Sequence, residues 1–305
     1  MALIGPTAIG KTNFIIEKSK QYPIEIVSVD SALVYKQLTI GANKPTDAEL
    51  KQCPHHLINI ADVTKSYNVQ EFIIDTEKAI KDIQSRDKMP ILVGGTMMYI
   101  YQLIHGLAAI PKIDSNLEID YLNHLKTIPI TTLYENLQKV DPVFALKVAS
   151  NDSQRIYRGL IVYKFTGQPL SSFWSSNHDA GLDLHVIGLY PRDKEKHRNI
   201  MLYRLEKMLQ FGFWDEVHDL WEQYPNQDLE FWKFVGYRQL LNGLLNHLSK
   251  KEAEERAFFA TAQLAKRQKT WMKKLTDNIA YVDFDENAPS SKDFDKKFEE
   301  FLLRY

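Results

Sequence analysis

Cysteine is almost missing from this chain. One residue, Cys53, in 305 excludes an intramolecular disulfide and any cysteine-built zinc site, and it suits a reducing compartment, with the cytoplasm as the default. Long apolar runs are missing too. None approaches the ~20 residues that span a bilayer. The chain runs directly into Met1-Ala2-Leu3-Ile4-Gly5 without a basic leader or a cleavage site, so neither a membrane partner nor export is expected. There is no excess of positive charge: 38 basic against 39 acidic residues leave a net charge of −1, so any polyanion must be met by a local basic patch. Internal repeats and low-complexity tracts are also absent, which excludes solenoid architectures. With 44% hydrophobic and 25% charged residues, the chain has the composition to bury a full core, as one large domain or two moderate ones, and monomer is the default state.

Three short apolar runs, Met1 to Ile4, Glu25 to Val29 and Pro90 to Val93, each lead into glycine or a small polar residue and then into helix-like sequence. Buried parallel strands alternating with helices read this way. Thr12 to Lys20 and Val69 to Ser85 have the length and apolar spacing of helices that cover such a sheet. From about Asp114 the texture changes, with helical segments at Ile119 to Lys126, Thr131 to Val140 and Gln154 to Phe165 and no clear strand between them. Strand character returns at Leu184 to Leu189. Long amphipathic helices are expected at Lys194 to Gln223 and Ser249 to Leu275, and a final strand at Ile279 to Phe284.

Gly5-Pro6-Thr7-Ala8-Ile9-Gly10-Lys11-Thr12 matches the phosphate-binding pattern GxxxxGK[ST], directly after a strand and opening a helix. Gly5 and Gly10 let the backbone curl so that its amides point inward, Lys11 neutralises phosphate oxygens, and the helix N-terminus adds partial positive charge. Thr12 is the candidate ligand for Mg²⁺. The expected occupant is a phosphate chain, either a nucleoside triphosphate or another pyrophosphate. Asp30 ends the second apolar run, and Thr96 follows the third through Gly94-Gly95. Ligands of open α/β sheets sit beyond the carboxyl ends of the strands, and neighbouring strands lie ~4.8 Å apart, so Thr7, Asp30 and Thr96 can converge if their strands are close. Asp30 has three available roles: helix cap, Mg²⁺ ligand, or general base for a nucleophile approaching the phosphate-bearing substrate, the last preferred. The expected fold is therefore α/β, a P-loop parallel sheet flanked by helices with an all-helical insertion and a helical C-terminal part. Residues 1–113 and 182–305 would form the core and 114–181 the insertion.

Beyond the P-loop, several blocks in fixed order carry a family likeness. They include Ser28 to Tyr35, Ile40-Gly41 with Lys44-Pro45, Pro54 to Ile58, and Leu92 to Met97 with Tyr99. They continue with Asp141-Pro142, Asn151-Asp152, Gln154-Arg155-Ile156 with Arg158, Gly236 to Gln239, and Gln263 to Gln268 with Thr270-Trp271. Over most of its length the chain resembles the tRNA dimethylallyltransferases, also called tRNA isopentenyltransferases.

That resemblance implies that the P-loop holds dimethylallyl pyrophosphate with Mg²⁺, and that the five-carbon group passes to N6 of the adenine 3′-adjacent to the anticodon. Asp30 would take the amine proton, and Thr7 would hydrogen-bond the oxygen leaving with pyrophosphate. An exocyclic amine is a poor nucleophile, so a placed carboxylate contributes ~10²- to 10⁴-fold. Asp30, Ser31, Ala32, Leu33, Thr96, Gln154, Arg155, Ile156, Tyr157 and Arg158 would touch the extruded adenine and the anticodon stem-loop, the insertion thus contacting tRNA. The family pattern has an arginine, expected to meet the pyrophosphate, where this chain has Ile200; Arg198 and Arg204 lie close by in sequence. Glu118 and Ala262 also replace arginines of that pattern.

The segment Lys266 to Lys274 carries five basic residues and no acidic one. On a helix, Lys266, Lys269 and Lys273 share a face, while Leu264, Trp271 and Leu275 would pack. Given the resemblance, Lys266, Arg267, Lys269 and Lys273 are expected on the tRNA backbone rather than as a merely solvated face. Arg155 and Arg158 form a second basic pair, with salt bridges to acids such as Asp152 as the alternative. Two other functions are kept: a P-loop nucleoside or nucleotide kinase, and a tRNA-binding homologue without turnover.

Overall fold

The computed structural model describes residues 1–174, 181–226, 228–284 and 289–303, so the end of the expected insertion, residues 175–180, lies outside the described residues. Two compact units emerge, one of Met1–Ile104 with Asp183–Tyr305, the other of His105–Leu182.

In the first unit the strands are β1 (Ala2–Ile4), β2 (Ile24–Val29), β3 (His55–His56), β4 (Met89–Gly94), β5 (Val186–Pro191), β6 (Ile279–Phe284) and β7 (Pro289–Ser290). They form one sheet in the order β3-β2-β4-β1-β5-β6-β7, parallel except where β7 runs antiparallel to β6. The central strands β1 and β2 are buried along their whole length, as parallel strands covered on both faces must be. β4 lies between β2 and β1, pairing Gly94 with both Val29 and Ile4. The chain ends of these three strands therefore stand side by side.

The helices of this unit are α1 (Lys11–Ser19), α2 (Asp47–Gln52), α3 (Val69–Ser85) and α4 (Met97–His105), the last running to the boundary. The second unit holds α5 (Ser115–Lys126), α6 (Ile130–Val140), α7 (Pro142–Ala145) and α8 (Ser153–Thr166). The chain then returns to the first unit with α9 (Lys194–Gln210), α10 (Phe213–Gln223), α11 (Tyr237–Leu244), α12 (Lys250–Leu275) and α13 (Lys292–Leu302). Capping boxes at Asn68 with Glu71 and at Ser249 with Glu252 start α3 and α12 where the apolar period begins. The expected single helix from Lys194 to Gln223 is in fact two. Gly212, at φ +98°, takes a left-handed conformation that ends α9 and turns the chain into α10.

One core packs α1 and α13, through Ile15, Phe294 and Phe298, against Leu3, Ile26, Ile91 and Ile187 of the sheet. A second gathers Tyr35, Phe213, Trp232, Tyr237 and Phe258 from the loop after β2 and from the C-terminal helices. At the start of β2, away from the strand carboxyl ends, the buried Glu25 side chain collects Arg86, Lys88 (2.6 Å) and His56 (2.7 Å). The helical unit has its own core of Leu125, Leu133, Leu137, Ile156 and Leu160. There the buried Asp141 accepts from Phe144 N–H at 3.0 Å and from the Ser171 hydroxyl at 2.6 Å, which explains the Asp141-Pro142 pair as a helix-starting device. Among the described residues no helix is long and apolar enough to cross a membrane.

Candidate active site

The P-loop leaves β1 at Gly5 and is anchored by Ile9, whose side chain is fully buried in the first core. Ala8 (φ +60°) and Gly10 (φ +91°) take left-handed conformations, and Gly10 stands at the N-terminus of α1. Such backbone makes the concave turn that suits anions. The Lys11 Nζ lies across the loop, donating to the carbonyls of Gly5 (3.1 Å) and Pro6 (2.9 Å). Burial pushes its ammonium down to about 7. The positive charge of Arg204, on α9, acts in the same direction, and the Asp30 carboxylate opposes both. Arg204 is itself pushed down by burial and held up by Asp30. It starts so high that it keeps its charge. Two basic side chains thus face one carboxylate beside the loop, a balance suited to a phosphate chain.

Asp30, at the end of β2, divides its two oxygens. Oδ1 accepts from the N–H groups of Ala32 (2.8 Å) and Leu33 (3.3 Å). Oδ2 takes no hydrogen bond among the described residues, so capping the following turn leaves one oxygen available for proton transfer. The Thr96 hydroxyl accepts from Ser31 N–H at 3.2 Å, and the N–H groups of Gly95 and Thr96 both reach Val29 O. Thr7 N–H donates to Gln268 Oε1 at 2.8 Å, and Gln268 Nε2 donates to Gly95 O at 3.0 Å. His197 Nε2 lies 2.9 Å from Thr7 O. A carbonyl only accepts, so this nitrogen carries the proton. Burial pushes the His197 imidazole down to about 4 and keeps it neutral. Thr7, Asp30 and Thr96 therefore stand at the carboxyl ends of β1, β2 and β4, joined by hydrogen bonds.

A family model described as IPP transferase matches residues 33–275. The chain belongs to the IPP transferase family. A tRNA dimethylallyltransferase of Chromobacterium violaceum is 40% identical over 280 residues, 90% of this chain and 85% of the relative. One from Neisseria meningitidis is 41% identical over 278 residues, 90% of this chain and 88% of its own. Among solved structures, the tRNA isopentenylpyrophosphate transferase of Bacillus halodurans superposes with a TM-score of 0.67 at 29% identity, covering 98% of this chain and 93% of that one. A eukaryotic dimethylallyltransferase acting on tRNA gives a TM-score of 0.76 at 27% identity, covering 92% and 73%.

Within this IPP transferase, α12 exposes Lys266, Arg267 and Lys273, while Lys269 and Lys273 lie over the Tyr190 ring at 5.9 and 5.1 Å. Trp271 is 37% exposed and meets the Tyr101 ring edge-on at 6.2 Å, outside the buried stripe of Ala253, Ala257, Phe258, Ala265 and Met272. In the helical unit Gln154, Arg155 and Arg158 are exposed on α8 and Tyr157 is half-buried. The Ile156 side chain is turned into the core of that unit, so it supports the helix rather than presenting a contact. Arg155 pairs with Asp152 at 3.5 Å. Arg158 pairs with Glu118 at 3.0 Å, so an acid stands beside Arg158 where the family pattern has an arginine.

Of the two arginines flanking Ile200, Arg204 faces Lys11 and Asp30, while Arg198 stacks on Phe258 at 4.8 Å. Three side chains that hold the backbone around the site escaped sequence reasoning. His197 shares its helix face with buried Met201 and Leu205, and Gln268 sits between buried Ala265 and Met272. A polar residue on an apolar stripe was the available signal. Glu216 gave no local signal. Its carboxylate accepts from the N–H groups of Thr39 (3.1 Å), Ile40 (2.6 Å) and Gly41 (3.1 Å) and from the Tyr237 hydroxyl (2.5 Å), tying down the Ile40-Gly41 loop.

Proposed function

We propose that this enzyme transfers a dimethylallyl group from dimethylallyl pyrophosphate to N6 of the adenine 3′-adjacent to the anticodon in tRNA, releasing pyrophosphate. The observation that carries the reading is the meeting of Lys11, Arg204 and Asp30 beside the P-loop, with Asp30 Oδ2 uncommitted. A carboxylate that stands beside two basic side chains and keeps one oxygen free of protein hydrogen bonds can take a proton from an incoming amine. As the N6–C1 bond forms and the C1–O bond breaks, Asp30 Oδ2 takes the amine proton. Lys11 and Arg204 meet the charge that develops on the departing pyrophosphate. The Thr7 hydroxyl donates to the bridging oxygen.

A Mg²⁺ carried mainly by the substrate's phosphates suits the hydroxyl donor that the P-loop offers at the start of α1. Thr12, the second residue of α1, is the protein ligand we assign to it. Bound there, it would neutralise phosphate charge. The α12 residues Lys266, Arg267, Lys269 and Lys273 hold the tRNA backbone. Ser31, Ala32, Leu33 and Thr96 line the acceptor side, with Gln154, Arg155, Tyr157 and Arg158 of the helical unit on the stem-loop. The tRNA acceptor puts the work in the cytoplasm.

The test is incubation with Mg²⁺, labelled dimethylallyl pyrophosphate and unmodified tRNA, comparing the unaltered protein with Asp30→Asn and with an ATP-only reaction. Label should enter tRNA with the unaltered chain, and the variant should lose ~10²- to 10⁴-fold in rate. Phosphoryl transfer from ATP would favour a kinase, and tRNA binding without label transfer a degenerate homologue; either overturns the proposal.

A further inference from the structure

The backbone of Thr7 is held by two side chains from distant parts of the chain. Its N–H meets Gln268, 261 positions away, and its carbonyl meets His197, 190 positions away. Gln268 does more than fill space. Its Oε1 accepts from the P-loop after β1, and its Nε2 donates to Gly95 in the turn after β4. The partners fix which end of the carboxamide is which, because an N–H can only donate and a carbonyl can only accept. No charged side chain supplies both functions: glutamate lacks the donor, lysine and arginine the acceptor.

The shape of the turn matches these bonds. A Cβ placed on Gly95 would overlap Gln268 Nε2, so the glycine leaves the space that the carboxamide occupies. From that turn the bonding continues through Val29 O and through Thr96 Oγ1 to Ser31 N–H, beside Asp30.

We propose that Gln268 is a positioning residue for the transfer step, fixing Thr7 against the Gly95–Thr96 turn and so setting the donor's leaving oxygen against the base Asp30. This rests on the roles given above to Thr7 and Asp30. Gln268 projects from the packed side of α12, between Ala265 and Met272, while Lys266, Arg267 and Lys273 of the same helix are exposed. Altering it therefore leaves the RNA-facing charges in place. The chemistry should suffer and tRNA capture should not.

The experiment measures kcat and KM for tRNA with the full chain, labelled dimethylallyl pyrophosphate and Mg²⁺. The proteins are the unaltered chain, Gln268→Leu, Gln268→Glu, Gly95→Ala, and Gly95→Ala with Gln268→Leu, each checked for cooperative melting above the assay temperature. Gln268→Leu should lower kcat on the order of 10²-fold, the scale of a misplacement of about 1 Å, with KM for tRNA changed by less than about two-fold. Gln268→Glu, isosteric and still able to accept from Thr7 N–H, should lose on the order of ten-fold. Gly95→Ala should match Gln268→Leu, and the double variant should be no worse than either single one, since both break the same link. If the unaltered chain transfers label and both Gln268 variants keep its kcat, the positioning role is overturned. Losses that multiply in the double variant, or that fall on KM alone, overturn it too. No transfer by the unaltered chain would instead overturn the underlying reading of function, and this one with it.

Discussion

The charge on Lys11 links the donor site to pH. In the free protein, burial and Arg204 push its ammonium down to about 7, against the usual 10.5. A pyrophosphate group laid against it restores the charged form, so binding above neutrality takes up a proton. If the complex holds Lys11 fully charged, affinity follows the fraction of free protein already protonated. That fraction is about one half at pH 7 and about one hundredth at pH 9, a loss of roughly fifty-fold or ~2.3 kcal/mol. Pyrophosphate has its own titration, which Lys11→Arg isolates, because a guanidinium keeps its charge throughout this range. Calorimetric titration with inorganic pyrophosphate, in two buffers of different ionisation enthalpy, reads affinity and proton uptake together. At pH 8 the unaltered protein should take up about 0.9 proton more than Lys11→Arg. Equal pH slopes and equal uptake for the two proteins would mean that Lys11 is charged throughout, and would refute the reasoning. The same shift acts on folding with a definite sign. Between about 7 and 10.5 the unfolded chain binds the Lys11 proton and the folded chain does not, so the stability of the ligand-free protein rises with pH across that window.

Other outcomes follow from contacts away from the loop. Glu25→Ala leaves Arg86, Lys88 and His56 without their shared carboxylate, but these cations are partly exposed, so it should destabilise the fold by ~1–3 kcal/mol in denaturant titration. Arg86 first, with Lys88 and His56, holds the Glu25 carboxyl well below the usual carboxylate range; its contribution is full above the unfolded value and is lost as pH falls towards the folded one, so acid unfolding of Glu25→Gln should lose part of its steepness. Glu216→Ala removes the acceptor for three backbone N–H groups and the Tyr237 hydroxyl, and should cost ~3 kcal/mol, read as a lower thermal midpoint. Lys266→Ala, Lys269→Ala and Lys273→Ala should each weaken tRNA binding across tRNA sequences and reduce the slope of log affinity against log salt by ~0.7–0.9; an unchanged slope would remove α12 from the RNA surface.

What the sequence determined by itself was whatever contiguous residues dictate. The glycine spacing of residues 5–12 names an anion loop because it sets the local backbone. Val69–Ser85 was readable end to end because its period and its Asn68 cap lie in one stretch. β1, β2 and β4 were readable because strands buried on both faces are mostly apolar, with Glu25 and Ser28 the polar exceptions in β2. The period of α9 and α10 carried the reading across Gly212, whose left-handed φ breaks the helix, and Trp271 packs only on the edge of Tyr101, because α12 turns its alanines into the core. Only the tertiary structure decided that β4 lies between β1 and β2, that Arg204 rather than Arg198 faces Asp30, and that His197 and Gln268 hold Thr7 from both sides. Pattern and propensity act over a few residues, whereas these bonds close between groups 190 and 261 positions apart, and only the packing of helices on the sheet brings such groups within hydrogen-bond distance.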